Sequence, residues 1–169
     1  MNKMKTEPTL ILSEEDIKIK VKRIALQILE TCLEDEKIVI AGIKENGATL
    51  AALISEEIKK LSDKTMVLAS VKLDKKNPLQ SIEVSVEPSA YKNKSLILVD
   101  DVLNTGSTLM FAAKHFLEVP LKQFKTAVLV DRNHKNYPIK ADYKGISLST
   151  SLNERVEVNF ESPAKAELI

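Results

Sequence analysis

Apolar side chains recur at spacings of three and four along residues 14 to 32, at Ile17, Val21, Ile24, Ala25, Ile28 and Cys32. That period predicts an amphipathic helix with these residues on its inner stripe. Ser13 and Asp16 have the spacing of a capping box at its start. The pattern then changes. "KIVIAG" is a short β-branched run closed by Gly42 and reads as a buried strand, after which helical spacing returns from about Gly47, with Leu50, Leu53, Ile54, Ile58 and Leu61 on the apolar face. "TMVLASVKL" is the next strand. Residues 74–93 carry two prolines and many polar side chains, with one alternating patch at Ile82, Val84 and Val86. They predict a mobile excursion containing a short strand pair or hairpin. "SLILVD" is the most continuous aliphatic run and is expected as a central strand buried on both faces. A third helix begins near Ser107 and is expected to bury Leu109, Ala112, Ala113, Phe116 and Leu117. "FKTAVLVD" is a further strand, and "ADYKGISL" and "RVEVNF" look like strands at or near an edge. Strand alternating with helix three times implies an α/β fold, with a mostly parallel central sheet flanked by helices. With no repeat, low-complexity tract or Gly/Ser linker, residues 1–169 read as one domain.

The central run ends in an unusual way. Asp100 and Asp101 stand side by side after it, and "VLNTGST" follows. A strand that only fills a core has no use for two adjacent carboxylates, which repel one another unless water, a metal ion or a polyhydroxyl ligand meets them. In an open parallel sheet, ligands bind beyond the carboxyl ends of the strands. Thr105, Gly106, Ser107 and Thr108 bring hydroxyls and backbone N–H groups to a helix start, where an anion is favoured. Gly106 allows close approach of the chain to a phosphate. Asp100 and Asp101 could accept hydrogen bonds from two ribose hydroxyls, so one short segment could hold both halves of a ribose 5-phosphate. Taken singly, these residues would serve as turn and cap. The loop "AGIKENGAT" spaces Gly42 and Gly47 like a nucleoside triphosphatase phosphate loop, but Ala48 stands where that motif requires lysine. That motif is rejected. A plain strand-to-helix turn and a pyrophosphate cradle built from backbone N–H groups and Lys44 both remain open for this loop.

"LILVDDVLNTGSTL" resembles the phosphoribosyl pyrophosphate (PRPP) motif of the type I phosphoribosyltransferases, and within them the chain resembles the pyrimidine operon attenuation protein/uracil phosphoribosyltransferase (PyrR) family. "ILSEEDIKIKVKRIALQILE", "AGIKENGATLAALI" and "AVLVDRNHKNYPIKADYKGISLSTSLNERVEV" are similar to that family's first helix, pyrophosphate loop with its helix, and carboxyl-terminal segment. The resemblance implies the type I phosphoribosyltransferase fold with a small hood at about 131–155. It also implies transfer of phosphoribosyl from PRPP to a nucleobase, uracil first, with release of pyrophosphate. Asp100 and Asp101 would be the catalytic pair, holding the ribose hydroxyls directly or through magnesium-bound water. Val102, Leu103, Asn104, Thr105, Gly106, Ser107 and Thr108 would form the PRPP loop. Lys44, Glu45 and Asn46 would face pyrophosphate. Arg132, with the backbone at 146–148, would read the base. Mg²⁺ would arrive mostly on the substrate, and the partners implied are PRPP, a nucleobase and a second copy of the chain.

The chain departs from that family in three places. Glu45 and Asn46 replace a Thr-Arg pair in the pyrophosphate loop. Asn104 replaces a tyrosine and Ser107 an arginine. The family's covering loop is shortened to "LDKKNPLQ". Losing an arginine removes a charge-assisted phosphate contact, so a PRPP-binding regulator acting through RNA or protein stands as the alternative. The 25 basic and 24 acidic residues leave a charge of +1, which does not favour RNA, although Lys18, Lys20, Lys22 and Arg23 form a local basic cluster. The single cysteine, the absence of an apolar run of roughly 18 residues and the polar start "MNKMKTEP" lead to the expectation of a cytoplasmic protein with no membrane span.

Overall fold

The computed structural model describes residues 7–74, 76, 77, 79–151 and 154–169. Expectations touching the first six residues, Lys75 and Pro78 in the excursion, and Leu152 and Asn153 in the hood lie outside them. The elements run β1 (Thr9–Leu12), α1 (Glu14–Thr31), β2 (Lys37–Ile43), α2 (Asn46–Leu61), β3 (Thr65–Lys72), β4 (Glu83–Val84), β5 (Ser95–Leu103), α3 (Ser107–Phe116), β6 (Gln123–Asp131), β7 (Tyr143–Ser147), β8 (Val156–Asn159) and β9 (Lys165–Leu168). Six strands form the main sheet in the order β4-β3-β2-β5-β6-β7, and β1-β9-β8 form a small second sheet. In the main sheet only the β3–β4 pair is antiparallel.

Period-two alternation in the central strands sends residues to two cores. Ile38, Ile40, Ile97, Val99, Ala127 and Leu129 face α1 and α2, while Val39, Ala41, Leu96, Leu98 and Val128 face α3. The small sheet belongs to the first core through Leu12, Val156, Val158 and Ala166. Ser13 caps α1 as expected, accepting from the Asp16 N–H, while the Asp16 carboxylate accepts from the Ser13 N–H at 2.9 Å. All six residues of the predicted α1 stripe are buried.

Two expectations need correction. Leu53, Leu61 and Leu117 are exposed, because Gly47, Ala51 and Ser55 share the inner face of α2 with Leu50, Ile54 and Ile58, and α3 ends one residue before Leu117. The "RVEVNF" strand is at an edge, as expected, and the sheet it borders is the small one. The excursion contains a short paired strand, also as expected. Glu83–Val84 pairs with Val71 and Lys72 of β3, a 3-10 turn follows at Pro88–Ala90, and Tyr91 is buried edge-to-face on Phe116 with ring centroids 5.1 Å apart. The other correction is the end of β5, which does not close at the two aspartates but runs on through them to Leu103.

Beneath the sheet, at its amino end, Cys32 packs at the close of α1. Burial, with the Asp35 carboxylate next to it, pushes its thiol up to about 11. At pH 8 roughly one thiol in a thousand would be thiolate. Iodoacetamide is expected to label Cys32 only when denaturant unfolds the protein, and mass spectrometry of the native and unfolded samples checks this. Rapid labelling of the native state would show that this end of α1 opens.

Candidate functional site

Unequal strand lengths create the site. β2 pairs with β5 only as far as Gly42↔Val99, whereas β6 follows β5 to Leu103↔Asp131. Asp100 to Leu103 therefore stand with a strand on one side and open space on the other. The 44–47 loop enters that notch. Its path is tight: a Cβ on Gly42 would lie 2.5 Å from the Ala48 Cα, and one on Gly47 would lie 2.7 Å from the Val99 carbonyl oxygen. Both positions exclude any larger residue unless backbone shifts. The same closeness puts the first turn of α2 against the Asp100 carboxylate, where the helix dipole favours negative charge. Asp100 is 2% exposed, and its Oδ1 accepts the Asp101 N–H at 3.0 Å.

Asp101 is half-buried and held from two sides. Its Oδ1 accepts the Val102 N–H at 2.9 Å, and its Oδ2 accepts the Asn46 side-chain amide at 2.9 Å. The same Asn46 nitrogen donates to the Val158 carbonyl at 2.9 Å. One amide thus ties the loop, the second acid and the small sheet together. Lys44 and Glu45, joined by a cis peptide bond, are exposed beside it.

Beyond the acids the chain turns through Asn104 and Thr105 to Gly106, which takes φ +86° and opens α3. A Cβ there would come within 2.7 Å of the Ile139 side chain. The Thr105 carbonyl accepts the Asn136 and Tyr137 N–H groups at 2.8 and 3.2 Å, so the turn is fastened to the segment after β6. A cavity of about 340 Å³ lies over this region, walled by Asp100–Gly106, Thr108, Leu109, Arg132, Arg155 and Val156. A second polar hollow, about 420 Å³, shares Asn104, Thr105 and Arg132 and continues along Asn133–Asn136.

Arg132 is 5% exposed, and each of its three guanidinium nitrogens donates to a protein oxygen. It donates to Asn104 Oδ1 at 3.2 Å, to Thr150 Oγ1 at 3.0 and 3.1 Å, to the Ser151 carbonyl at 3.3 Å and to the Glu154 carbonyl. His134 Nε2 lies 2.6 Å from the Thr150 carbonyl oxygen. In this structure Arg132 binds the hood to the turn. The backbone at 146–148 lies on β7 and its end, where the Leu148 N–H meets the Asp131 carbonyl at 2.8 Å, and does not line the larger-walled cavity.

The structure thus gathers Asp100, Asp101, Val102, Leu103, Asn104, Thr105, Gly106, Thr108 and Arg132 around one cavity. Ser107, Lys44, Glu45 and Asn46 do not line it, although Asn46 touches Asp101. Arg155, Val156 and the Val158 carbonyl are the additions that sequence reasoning missed. Their signal was the strand "RVEVNF", but nothing local says which sheet that strand joins. Among the described residues no group of three His, Cys, Asp or Glu side chains is placed to hold a metal ion, and no helix is long and apolar enough to cross a membrane. Two carboxylates with oxygen donors suit Mg²⁺ once substrate oxygens and water complete its shell.

Comparison with known proteins agrees with this geometry. A family profile described as phosphoribosyl transferase domain matches residues 9–163. The chain is 32% identical over 163 residues to the bifunctional protein PyrR of Haemophilus ducreyi, covering 90% of this chain and 89% of that one. It is 33% identical over 165 residues to the bifunctional protein PyrR of Bacillus cereus, covering 92% of each. Among solved structures, a hypoxanthine-guanine phosphoribosyltransferase of Bacillus anthracis superposes with a TM-score of 0.77 at 23% identity, over 95% of this chain and 96% of that one. The hypoxanthine phosphoribosyltransferase of Trypanosoma cruzi, in complex with the product IMP, superposes with a TM-score of 0.72 at 17% identity, over 92% and 86%. At those identities the likeness is one of fold. An acid pair on an overhanging central strand, a glycine-opened helix beside it and these matches along nearly the whole described chain lead to one conclusion: the protein belongs to the type I phosphoribosyltransferase family, with the PyrR proteins among its relatives.

Proposed function

We propose that the protein transfers phosphoribosyl from PRPP to a nucleobase, with uracil as the base and Mg²⁺ as the metal. The observation that carries this is the joining of Asp100 and Asp101 to the Thr105–Thr108 helix start around one cavity. The ribose hydroxyls bond the Asp101 carboxylate, with Asp100 behind it holding the Asp101 backbone. The 5-phosphate sits on the hydroxyls and N–H groups that open α3. Pyrophosphate lies toward Lys44 and the 44–47 loop, and the base lies where the cavity meets the hollow along 133–136. Mg²⁺, held by the acids through water and by substrate oxygens, would neutralise the charge of the leaving pyrophosphate. Positive charge developing on the ribose ring is met by the two carboxylates. The protein is read as a cytoplasmic homodimer of one domain.

A second reading, a PRPP-binding regulator with little turnover, is favoured by Asn46. The residue standing where the resemblance expects arginine is already bonded to Asp101 and Val158. RNA is not the favoured partner, because Arg23 of the basic cluster donates to the Lys144 and Gly145 carbonyls at 2.8 and 2.5 Å rather than standing free for phosphate. The test is pyrophosphate release with PRPP, Mg²⁺ and each common nucleobase, beside calorimetric PRPP binding. Release with uracil alone is the expected result. Binding without release from any base would establish the regulator, and no binding would end both readings.

A further inference from the structure

We propose that Arg155, at the head of the small sheet, is a phosphate-binding residue that supplies from the facing wall a guanidinium, which the 44–47 loop, with Lys44 and Asn46, lacks. This rests on the phosphoribosyl reading above. Among the described residues, four ionisable side chains line the cavity: Asp100, Asp101, Arg132 and Arg155. The first two repel a phosphorylated substrate, and Arg132 is buried with its donors bonded to protein oxygens. Arg155 is the lining cation whose side chain meets solvent, 72% exposed.

Its backbone is fixed and its head group is available. The Arg155 and Ile169 N–H groups each donate to the other's carbonyl at 2.9 Å, so the strand sets the position of its Cα. Among the described residues its guanidinium has one carboxylate within ion-pair distance, Glu157 at 3.4 Å, itself 58% exposed. Exposed pairs of this kind are weak and yield readily to a stronger anion. A guanidinium presents its donors as a planar fork that matches phosphate oxygens two at a time. The wall that carries Arg155 also meets the loop, since the Asn46 amide bonds the Val158 carbonyl of the same strand. Residue 155 therefore lines the cavity itself, on a strand tied to the loop through Asn46, which reaches the cavity only by way of Asp101.

The test is calorimetric binding of PRPP with Mg²⁺ to the unaltered protein, Arg155→Gln and Arg155→Lys, with ribose 5-phosphate and pyrophosphate titrated separately. Arg155→Gln is expected to weaken PRPP binding about tenfold or more. Arg155→Lys should recover part of that loss, because it keeps the charge without the fork. The ligand that weakens in parallel, ribose 5-phosphate or pyrophosphate, identifies the phosphate contacted. PRPP affinity equal to that of the unaltered protein in Arg155→Gln overturns the assignment while leaving the phosphoribosyl reading intact. Should the glutamine variant not fold, Arg155→Lys decides: weaker binding supports the contact and equal binding overturns it. If the unaltered protein binds no PRPP, the phosphoribosyl reading falls and this assignment falls with it.

Discussion

Asp100→Asn with Asp101→Asn is expected to weaken PRPP binding at least a hundredfold while the protein still folds. Hydrogen bonds to a charged group contribute about 1.5–3 kcal/mol each, and the double change removes the charge that strengthens both ribose-hydroxyl bonds to Asp101. At about 1.4 kcal/mol per tenfold, two losses give roughly a hundredfold or more. Folding should survive because the backbone contacts need only an oxygen. An asparagine keeps one for the Asp101 N–H and one for the Val102 N–H, at 3.0 and 2.9 Å in the native protein. The strained position is the Asn46 amide, which donates to Asp101 Oδ2 and would meet an NH₂ group instead. Asn46 can turn its own oxygen there, at the loss of its bond to Val158. Calorimetry beside a thermal melt reads both effects. A folded double variant with undiminished affinity would remove the two acids from the site.

Arg132→Ala should lower the unfolding free energy by about 3 kcal/mol, the largest stability effect we expect from a single polar side chain here. The side chain is nearly inaccessible, and its removal strands the Asn104 amide oxygen, the Thr150 hydroxyl and two carbonyls that it now satisfies. Each lost bond to the guanidinium is worth about 1.5–3 kcal/mol, but Asn104 and Ser151 are exposed and Thr150 and Glu154 half-buried, so water recovers much of the sum. Urea titration of both proteins, compared at equal slope, checks this. An unchanged midpoint would mean that His134 on Thr150 and the bonds to the Thr105 carbonyl hold the hood unaided.

Much of this arrangement could be read from residue order. The aliphatic run before Asp100 had to be a central strand, and the acids with "NTGST" announced their place around a cavity at the sheet's carboxyl end. The α1 stripe and its cap needed only local rules. What escaped depended on contacts far apart in the chain. "TLIL" and "KAEL" are four-residue strands with no period long enough to register, and they are strands because β9 pairs with β1 on one side and β8 on the other. Arg155 opens a strand that was legible, but nothing local says which sheet that strand joins. Arg132 was legible as a site residue, but its bonds to the hood came from Thr150 and Glu154, whose positions no local pattern states. Tyr91 looked like part of a polar excursion, and only Phe116 across the fold explains its burial.

One wall of the cavity hangs from a sheet that pairs Thr9 with Leu168 and Val156 with Leu168. During synthesis β2, β5 and β6 can assemble as soon as they are made, and the acid pair with its helix start comes with them. β8 has no neighbouring strand until residues 165–168 have emerged, and that strand must then find a partner made at the outset. Closing so long a loop is entropically costly, and slow beside local pairing. A growing chain would thus display an open, half-walled version of the pocket for the whole interval before β9 appears. That wall closes only once residues 165–168 have been made.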